Sequence, residues 1–370
     1  MMRSNVLWAL SLTLTLFLGA CSEDTPGTTG PTGDGSQAES VDETLFAQIK
    51  GYADVLATGN IWQGYDYGAV RQYIIYVSGN EPKRGFIINP SGSPSGATKL
   101  ADSERAGLDV WRYDGAMQKA YDQLNGSGGN GAYDFGFEID GTKYYVQSYT
   151  DDQVAAPYEA VDLSVHETFH GDQNAWTELT NWNQDVANFP MTQELVELQM
   201  LVGEIFRDMP NTTTDKAEMR KMLEQYVAIR AREIAIDPSS GKLIENFEIA
   251  QEQVEGSAKY LEVMAHRAHF KNTKPIADYG LMELGPTTRT EAKDLIAQTV
   301  TYNTGGTALY LLNELGVDIE QMRQGKTPYE LAIAFLGMSQ SERDAALAAA
   351  KGHAKWGEIQ TEAKKWMGLQ

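Results

Sequence analysis

The chain has 370 residues, of which 42% are hydrophobic and 10% aromatic, so it has enough apolar material for a large globular core. Its formal net charge of −21 argues against nucleic acid or an anionic membrane surface as the main partner. The single cysteine, Cys21, excludes an intramolecular disulfide. One large domain or two closely packed subdomains are therefore expected.

The N-terminus has the pattern of a secretory signal. Arg3 precedes an apolar run over residues 6–18, which is too short for a spanning helix, and small residues lead to Cys21. The ending Leu-Gly-Ala-Cys resembles the lipobox of bacterial lipoproteins, which implies a lipidated cysteine at the mature N-terminus. By the same resemblance, Ser22 favours the outer membrane. Residues 1–21 are thus interpreted as a lipoprotein signal that anchors the protein to the cell envelope through Cys21. The alternative is an ordinary cleaved signal.

The next two segments differ in composition. Residues 22–40 are rich in Thr, Gly, Ser, Pro and acidic side chains without apolar periodicity, which predicts a flexible linker. Residues 41–156 are predicted to form a mixed, strand-rich subdomain with one short helix over 116–124. Its strands are indicated by β-branched and aromatic runs beside turn residues, at 71–77, 84–88, 134–140 and 143–149.

Residues 157–370 have helical patterning, which predicts a helical second subdomain. After the stretch 161–172, which is itself predicted as a helix, we expect helices at 192–209, 214–236, 243–270, 290–315, 327–336 and 339–351. Thr327 and Ser339 each begin a capping box. The predicted class is α+β, with a strand-bearing N-terminal half and a helical C-terminal half.

The strongest chemical signal is His166-Glu167-Thr168-Phe169-His170, an HExxH pentad. On a helix the two histidines stand one turn apart on one face, so both imidazoles can reach one metal ion. Glu167 can lie beside a water on that ion and take its proton. The pattern predicts the active-site helix of a zinc metallopeptidase. Asp172 counts against this, because an apolar residue is more usual there, and two metal-free core histidines are the alternative.

A catalytic zinc needs a third protein ligand and an open position for water. No third histidine follows the pentad closely, which excludes a metzincin arrangement. The helix predicted over 243–270 offers Glu255, and the small residues Gly256 and Ala258 would let this helix approach the HExxH helix. Glu262 could be a ligand or could support a ligand histidine by hydrogen bonding. The other candidates on this helix are Glu248, Glu252, His266 and His269.

HExxH followed much later by an EGxAxY motif, here residues 255–260, resembles the gluzincin metallopeptidases with a peptidase-MA-like core. The resemblance covers most of the chain after the linker, but only these two motifs carry chemistry. It implies a zincin-like fold and Zn²⁺ as the cofactor. It also implies His166, His170 and Glu255 as the metal ligands and Glu167 as the general base. The GxMEN and NExxSD motifs of well-known gluzincin aminopeptidases are absent, so the resemblance implies no aminopeptidase.

The remaining assignments concern the reaction and its setting. The oxyanion of peptide hydrolysis needs a donor besides zinc, and Tyr302 is favoured over Tyr260 and His269, although Tyr302 could be only a packed tyrosine. Gln173 either supports the site or faces solvent. The hypothesis is a lipid-anchored zinc peptidase acting on peptides or proteins, with no nucleic-acid partner. The alternative is a non-catalytic zincin-fold lipoprotein that acts as a binding or assembly module. The sequence does not indicate the oligomeric state.

Overall fold

The structure, a computed structural model, describes residues 40–126, 129–156, 158–177, 184–209 and 214–370. One mixed six-stranded sheet lies in the N-terminal half and helices make up the C-terminal half, which confirms the predicted α+β class. The signal over 1–21, with Cys21, and nearly all of the predicted linker lie outside the described residues. By their contacts the described residues divide into two compact units, 40–53 with 68–164 and 54–67 with 165–370.

The first unit is built on the sheet. Its elements are α1 Val41–Leu56, β1 Gln72–Ser78, β2 Glu81–Ile88, β3 Thr98–Lys99, β4 Val110–Arg112, α2 Met117–Asn125, β5 Tyr133–Ile139, β6 Thr142–Tyr149, α3 Asp151–Val154 and α4 Glu159–Gln173. The strand order is β3-β4-β2-β1-β6-β5, with β1 parallel to β6 and the other pairs antiparallel. The four predicted strands and the predicted short helix are confirmed to within a few residues, whereas α1, β3, β4 and α3 were not predicted.

One face of this sheet packs against α2. Successive side chains of a strand point to opposite faces, so alternate residues of β1 and β6 share this face. Its buried cluster consists of Tyr73, Ile75, Ile87, Ala120, Leu124, Phe137, Ile139, Tyr144 and Val146. On the opposite face, Phe46 of α1 meets Phe86 of β2 edge to face, with ring centroids 5.2 Å apart. The sheet is therefore covered by a helix on each side.

Buried polar side chains on the α1 side of the sheet position the start of α4. Gln147 Nε2 donates to the carbonyl oxygen of Ala160 at 2.8 Å, and Ser164 Oγ donates to Gln72 Oε1 at 2.9 Å. Both glutamines are buried, so their amide groups cannot bond to bulk water and form these hydrogen bonds within the protein instead. The helix that carries the HExxH pentad is thus held on the sheet by its first turns.

The second unit is helical and contains the rest of α4. The predicted helices are confirmed, although the one over 290–315 consists of two helices joined by a π-helical turn. The helices at Leu281–Leu284 and Trp356–Met367 were not predicted. Both capping boxes form. A π-helical turn at Ile244–Glu248 leads into α7, and another at Leu295–Thr299 leads into α10. The helices are α5 Gln193–Arg207, α6 Lys216–Ile236, α7 Ile249–Phe270, α8 Leu281–Leu284, α9 Arg289–Asp294, α10 Val300–Glu314, α11 Pro328–Leu336, α12 Gln340–Ala350 and α13 Trp356–Met367.

Glycines of α7 and α10 make a close contact between the two helices. A Cβ atom added to Gly256 would lie 2.6 Å from Gly305 Cα, and one added to Gly305 would lie 2.6 Å from the carbonyl oxygen of Glu252. Only glycine lets two backbones approach this closely. The prediction that Gly256 serves a close approach of its helix to the HExxH helix is therefore wrong, because Gly256 lies against α10.

A fully buried ionic cluster joins α6, α7 and α10; we call its four charged residues, Arg230, Glu233, Glu248 and Glu252, the Arg230 centre. The guanidinium donates to Glu233 Oε2 and Glu252 Oε1, both at 2.6 Å, and to Glu248 Oε1. Thr304 Oγ1 on α10 donates to Glu252 Oε1 at 2.6 Å. Three carboxylates around one guanidinium leave an excess of negative charge in the core. This excess disfavours full ionisation of the centre.

Of the helices in the part of the chain that the structure describes, none combines the length and the apolar character that a membrane span requires.

Candidate metal centre

The second half of α4 presents His166, Glu167 and His170 from a helix face that the surrounding residues hold in place. The one apolar residue between the two histidines, Phe169, is fully buried and packs edge to face on Trp62, with ring centroids 5.2 Å apart. Thr168 Oγ1 is 2.8 Å from the hydroxyl of Tyr65. These contacts leave α4 little freedom to rotate about its axis.

Asp172, the residue that argued against the motif, has a structural role at the end of α4. Its Oδ2 lies 2.9 Å from Arg323 Nη1 and accepts a hydrogen bond of 3.1 Å from Trp176 Nε1. The charge is therefore paired, and the polar residue ties the end of the helix to the 3₁₀ helix Ile319–Gln324.

Glu255 of α7 lies at equal distances from the two histidines. Its Oε2 is 3.4 Å from His166 Nε2 and 3.4 Å from His170 Nε2. A charge-assisted hydrogen bond would be shorter, about 2.7–2.9 Å. In contrast, N and O ligands that surround Zn²⁺ tetrahedrally at about 2.0–2.2 Å are about 3.4 Å from each other. The two separations therefore match the spacing of ligands around one zinc ion, although they also lie within hydrogen-bonding range.

Glu167 lies beside this triangle. Its Oε2 is 4.0 Å from His170 Nε2, and ligand atoms of His166, Glu167 and His170 all lie within 4.8 Å of one another. The group of His166, Glu167 and His170 could also hold an ion by distance alone. Of the two carboxylates, that of Glu255 lies closer to the imidazoles: its Oε2 is 3.4 Å from each Nε2, whereas Glu167 Oε2 is 4.0 Å from His170 Nε2.

The other glutamates proposed as third ligands lie elsewhere. Glu248 and Glu252 bind Arg230 in the Arg230 centre. Glu262 Oε2 is 3.3 Å from Nδ1 of His166, the nitrogen that faces away from Glu255. The structure therefore places Glu262 where the sequence analysis suggested a supporting carboxylate.

The two histidines on α7 also lie away from the triangle. His266 Nε2 is 2.9 Å from Asn272 Nδ2, and the His269 ring packs on Phe270. Both residues follow Glu255 by more than ten positions, so they stand over 15 Å along the helix axis at about 1.5 Å per residue. Neither can share an ion with Glu255.

Each histidine of the pentad is oriented by a side-chain oxygen at its Nδ1. For His166 this oxygen belongs to Glu262; for His170 it is Gln173 Oε1, at 2.6 Å. The amide nitrogen of Gln173 donates to Val254 O at 2.8 Å and to Ser257 Oγ at 2.7 Å, so its oxygen must be the acceptor. In the neutral imidazole of His170, Nδ1 therefore carries the proton, and Nε2, which faces Glu255, has the lone pair that a metal ion would need.

The electrostatics of the triangle favour a cation. Burial raises the pKa of the Glu255 carboxyl, but His170 and His166 outweigh burial and hold this pKa well below its usual range. Burial lowers the pKa of His166, but Glu255 and Glu262 outweigh it and raise this pKa to about 10. The carboxylates thus attract positive charge to the site. An arriving metal ion must displace a proton from His166.

The three candidates for the oxyanion donor differ in whether they contact the site. The ring of Tyr302 stacks on His166, with centroids 5.4 Å apart and planes at 10°. The hydroxyl of Tyr260 is buried and has no hydrogen-bond partner among the residues that the structure describes, and its ring packs on Trp62. His269 lies far along α7, as described above. Of the three, Tyr302 is the residue that contacts the site.

Two lysines near the site were not found by the sequence analysis. Lys259 Nζ and Lys274 Nζ lie 3.2 Å and 3.1 Å from Glu262 Oε1. The pairing of Lys259 with Glu262 was accessible from their spacing of three residues on one helix. Lys274 comes from the loop after α7, and no local pattern connects it to the site. Gln173 was predicted either to support the site or to face solvent, and its contact with His170 shows that it lies against the site.

Comparison of the chain with protein-family models, with curated proteins and with solved structures found no match.

Proposed function

We propose that the protein is a zinc-dependent peptidase with a zincin-like fold, in which His166, His170 and Glu255 bind Zn²⁺. The observation that carries the proposal is the equal 3.4 Å separation of Glu255 Oε2 from the two Nε2 atoms. Orientation of both Nδ1 atoms by side-chain oxygens supports it, because it directs both Nε2 lone pairs to one point.

The chemistry follows from the groups around that point. Zinc, when bound, supplies a Lewis acid that polarises a carbonyl group and lowers the pKa of water. Glu167 is the base that takes a proton from the attacking water and delivers it to the leaving amine nitrogen. The residue is only 7% exposed, so few bulk waters compete for that proton. Tyr302, which stacks on His166, is the proposed donor to the oxyanion.

The decisive experiment measures zinc and hydrolysis on the same samples. We expect one zinc per chain and cleavage of a peptide library by the parent. Glu167→Gln should keep the zinc and lose about 10²–10⁴-fold in kcat/KM. Glu159→Gln, at the other end of the same helix, is the matched control and should cleave like the parent. Glu255→Ala should lose the zinc.

The possible contrary results have different meanings. A parent protein without zinc would refute the metal site itself. Equal cleavage by Glu167→Gln and the parent would show that another group is the base. Stoichiometric zinc without hydrolysis of any library peptide would favour the non-catalytic binding or assembly module.

We further propose that Cys21 carries a lipid that anchors the protein in the cell envelope, with the outer membrane as the favoured location. The support is the sequence ending Leu-Gly-Ala-Cys with Ser22 after it. Cells grown with labelled palmitate should label the parent and not Cys21→Ser, and the parent should fractionate with the outer membrane. Labelling of neither protein would indicate an ordinary cleaved signal.

A further inference from the structure

The carboxylate of Glu262 is divided between a histidine and two lysines. Its Oε2 faces His166 Nδ1 at 3.3 Å, and its Oε1 lies 3.2 Å from Lys259 Nζ and 3.1 Å from Lys274 Nζ. Glu262 and Lys259 are both only 8% exposed. These ammonium groups thus bind the carboxylate from the side opposite to His166, in a site that largely excludes water.

The loop after α7 brings the second lysine back beside the helix. Arg267 Nε donates to the carbonyl oxygen of Lys274 at 2.6 Å, which fixes the loop at that residue. Four residues later, Asp278 Oδ2 lies 3.0 Å from Lys259 Nζ. The loop therefore contributes one positive and one negative charge to the same network.

The charges of this network balance. Lys259 and Lys274 offset Glu262 and Asp278, so the network adds no net charge beside Glu255 and Glu167. Without the lysines, Glu262 would be a buried carboxylate close to two others, and repulsion and lost hydration would both oppose its position next to His166. The lysines therefore make it possible for a charged carboxylate to stay at that place.

We propose that Lys259 and Lys274 are positioning residues for the metal ligand His166, acting through Glu262. They hold Oε1, which leaves Oε2 aligned with Nδ1 and keeps the imidazole turned so that Nε2 faces Glu255. His170 needs no such charges, because its partner is the neutral amide of Gln173. The inference rests on the proposed zinc site and deepens it.

The test is zinc affinity, measured by competition with a chromogenic chelator, together with the unfolding temperature of the metal-free protein. The variant Lys259→Met/Lys274→Met should bind zinc about 10–100-fold more weakly than the parent, the range known for groups that orient metal ligands. Lys274→Arg keeps the cation and should restore most of the affinity that Lys274→Met loses.

Lys355→Met is the matched control. Lys355 also pairs with a buried glutamate, Glu204, at 2.5 Å, but on other helices. This variant should lower the unfolding temperature without changing zinc affinity. Equal loss of zinc affinity in the control and in the lysine double variant would overturn the proposal, because it would reflect general loss of stability.

The role of Glu262 as the intermediary gives a second test. In a Glu262→Gln background no carboxylate remains to be positioned, so adding Lys274→Met should change zinc affinity less than about twofold. A full additional loss in that background would overturn the proposal. If the parent binds zinc and the lysine variants bind it equally well, only this inference fails. A parent that binds no zinc would instead remove the proposed function, and this inference with it.

Discussion

Helix α7 carries two buried ionic centres, and they differ in where the positive charge comes from. In the Arg230 centre the cation is a side chain, and two of its carboxylate contacts are hydrogen bonds of 2.6 Å. At the candidate metal centre Glu255 stays 3.4 Å from two imidazoles. The same residue type on one helix thus makes short ionic hydrogen bonds to Arg230 in one place and stays at the longer distance from two imidazoles in the other.

The difference shows how to recognise a metal site among buried acids. Glu233, Glu248 and Glu252 are as buried as Glu255, so neither burial nor residue type separates the two centres. The two centres are separated by the distances between their donor atoms and by the side chains that contact the far side of each donor group. Around Glu255 the imidazoles are oriented from behind by Glu262 and Gln173, whereas the guanidinium of Arg230 meets its carboxylates directly.

The largest expected effect comes from removing the built-in cation. Arg230→Met would leave three carboxylates in the core without a counter-charge, so we expect the free energy of unfolding to fall by about 3–5 kcal/mol. Urea unfolding measures it. The neighbouring Arg232→Met breaks a partly exposed pair with Glu194 and should cost about 0–1 kcal/mol. Similar losses in both variants would contradict the view that the Arg230 centre is a stabilising unit.

The next largest effect on the free energy of unfolding should come from removing zinc. It should depend on the candidate metal centre and not on the Arg230 centre. With free zinc at about a thousand times its Kd, binding adds about 4 kcal/mol to the free energy of unfolding, and a chelator removes that contribution. Glu255→Ala should unfold at the same point with and without chelator. A chelator effect of the same size in Glu255→Ala would place the ion elsewhere.

The close contact between α7 and α10 should couple the two centres. In Gly256→Ala the new Cβ would lie 2.6 Å from Gly305 Cα, and backbone cannot move aside as a side chain can. We expect a loss of about 1–3 kcal/mol in unfolding free energy. Zinc affinity should also fall, because Glu255 precedes Gly256 in the chain. Gly171→Ala on α4 meets open space and should gain up to about 1 kcal/mol. Unchanged zinc affinity in Gly256→Ala would show that this contact does not couple the two centres.

The smallest expected effect is a pH dependence from the Arg230 centre. Burial raises the pKa of Glu248 to about 8 and that of Glu233 to about 7, although Arg230 opposes both shifts. Because the folded protein holds protons that the unfolded chain has released, these two glutamates contribute stability that is fully present below pH 4.5, the usual pKa of a glutamate, and is lost as the pH rises towards 8. Between pH 7 and pH 8 we expect the metal-free protein to lose about 1 kcal/mol.

Glu248→Gln supplies the control for that pH dependence, because an amide cannot release the proton. Unfolding of this variant should vary less between pH 7 and pH 8 than unfolding of the parent. The same slope in both proteins would show that other groups titrate in this range.

What the sequence predicted, and what it missed, follows from the distance over which each feature is encoded. The HExxH helix is a local pattern, and so are the hairpins and the capping boxes. Helix α1 is equally local, since Leu45, Ile49 and Tyr52 repeat at helical spacing, yet no element was predicted before residue 71 of the mixed, strand-rich subdomain. The Arg230 centre could not be predicted, because only Glu233 is close to Arg230 in sequence, at i+3 on the same helix. Its other partners, Glu248, Glu252 and Thr304, are distant along the chain, and a lone arginine in a helical sequence is usually a solvated charge.

The proposed third ligand, Glu255, was predictable only in part. Local pattern reduced the choice to a few residues of one helix, and the resemblance to gluzincins selected Glu255. Only three-dimensional structure separates Glu255 from Glu252, because both lie on the same side of α7 and are equally acidic. The reason given for its reach was wrong: the glycine after it faces α10, and contact with α4 runs instead through Gln173 to Val254 and Ser257.

The distance along the chain between His170 and Glu255 has a consequence of its own. An ion bound to both would close a ring of about 85 residues, and tying so long a segment costs the unfolded chain about 4–5 kcal/mol in conformational entropy when the tie is covalent. A chain with one cysteine has no internal disulfide to do this. Coordination would therefore act as its long-range cross-link, insensitive to reductants and opened by chelators.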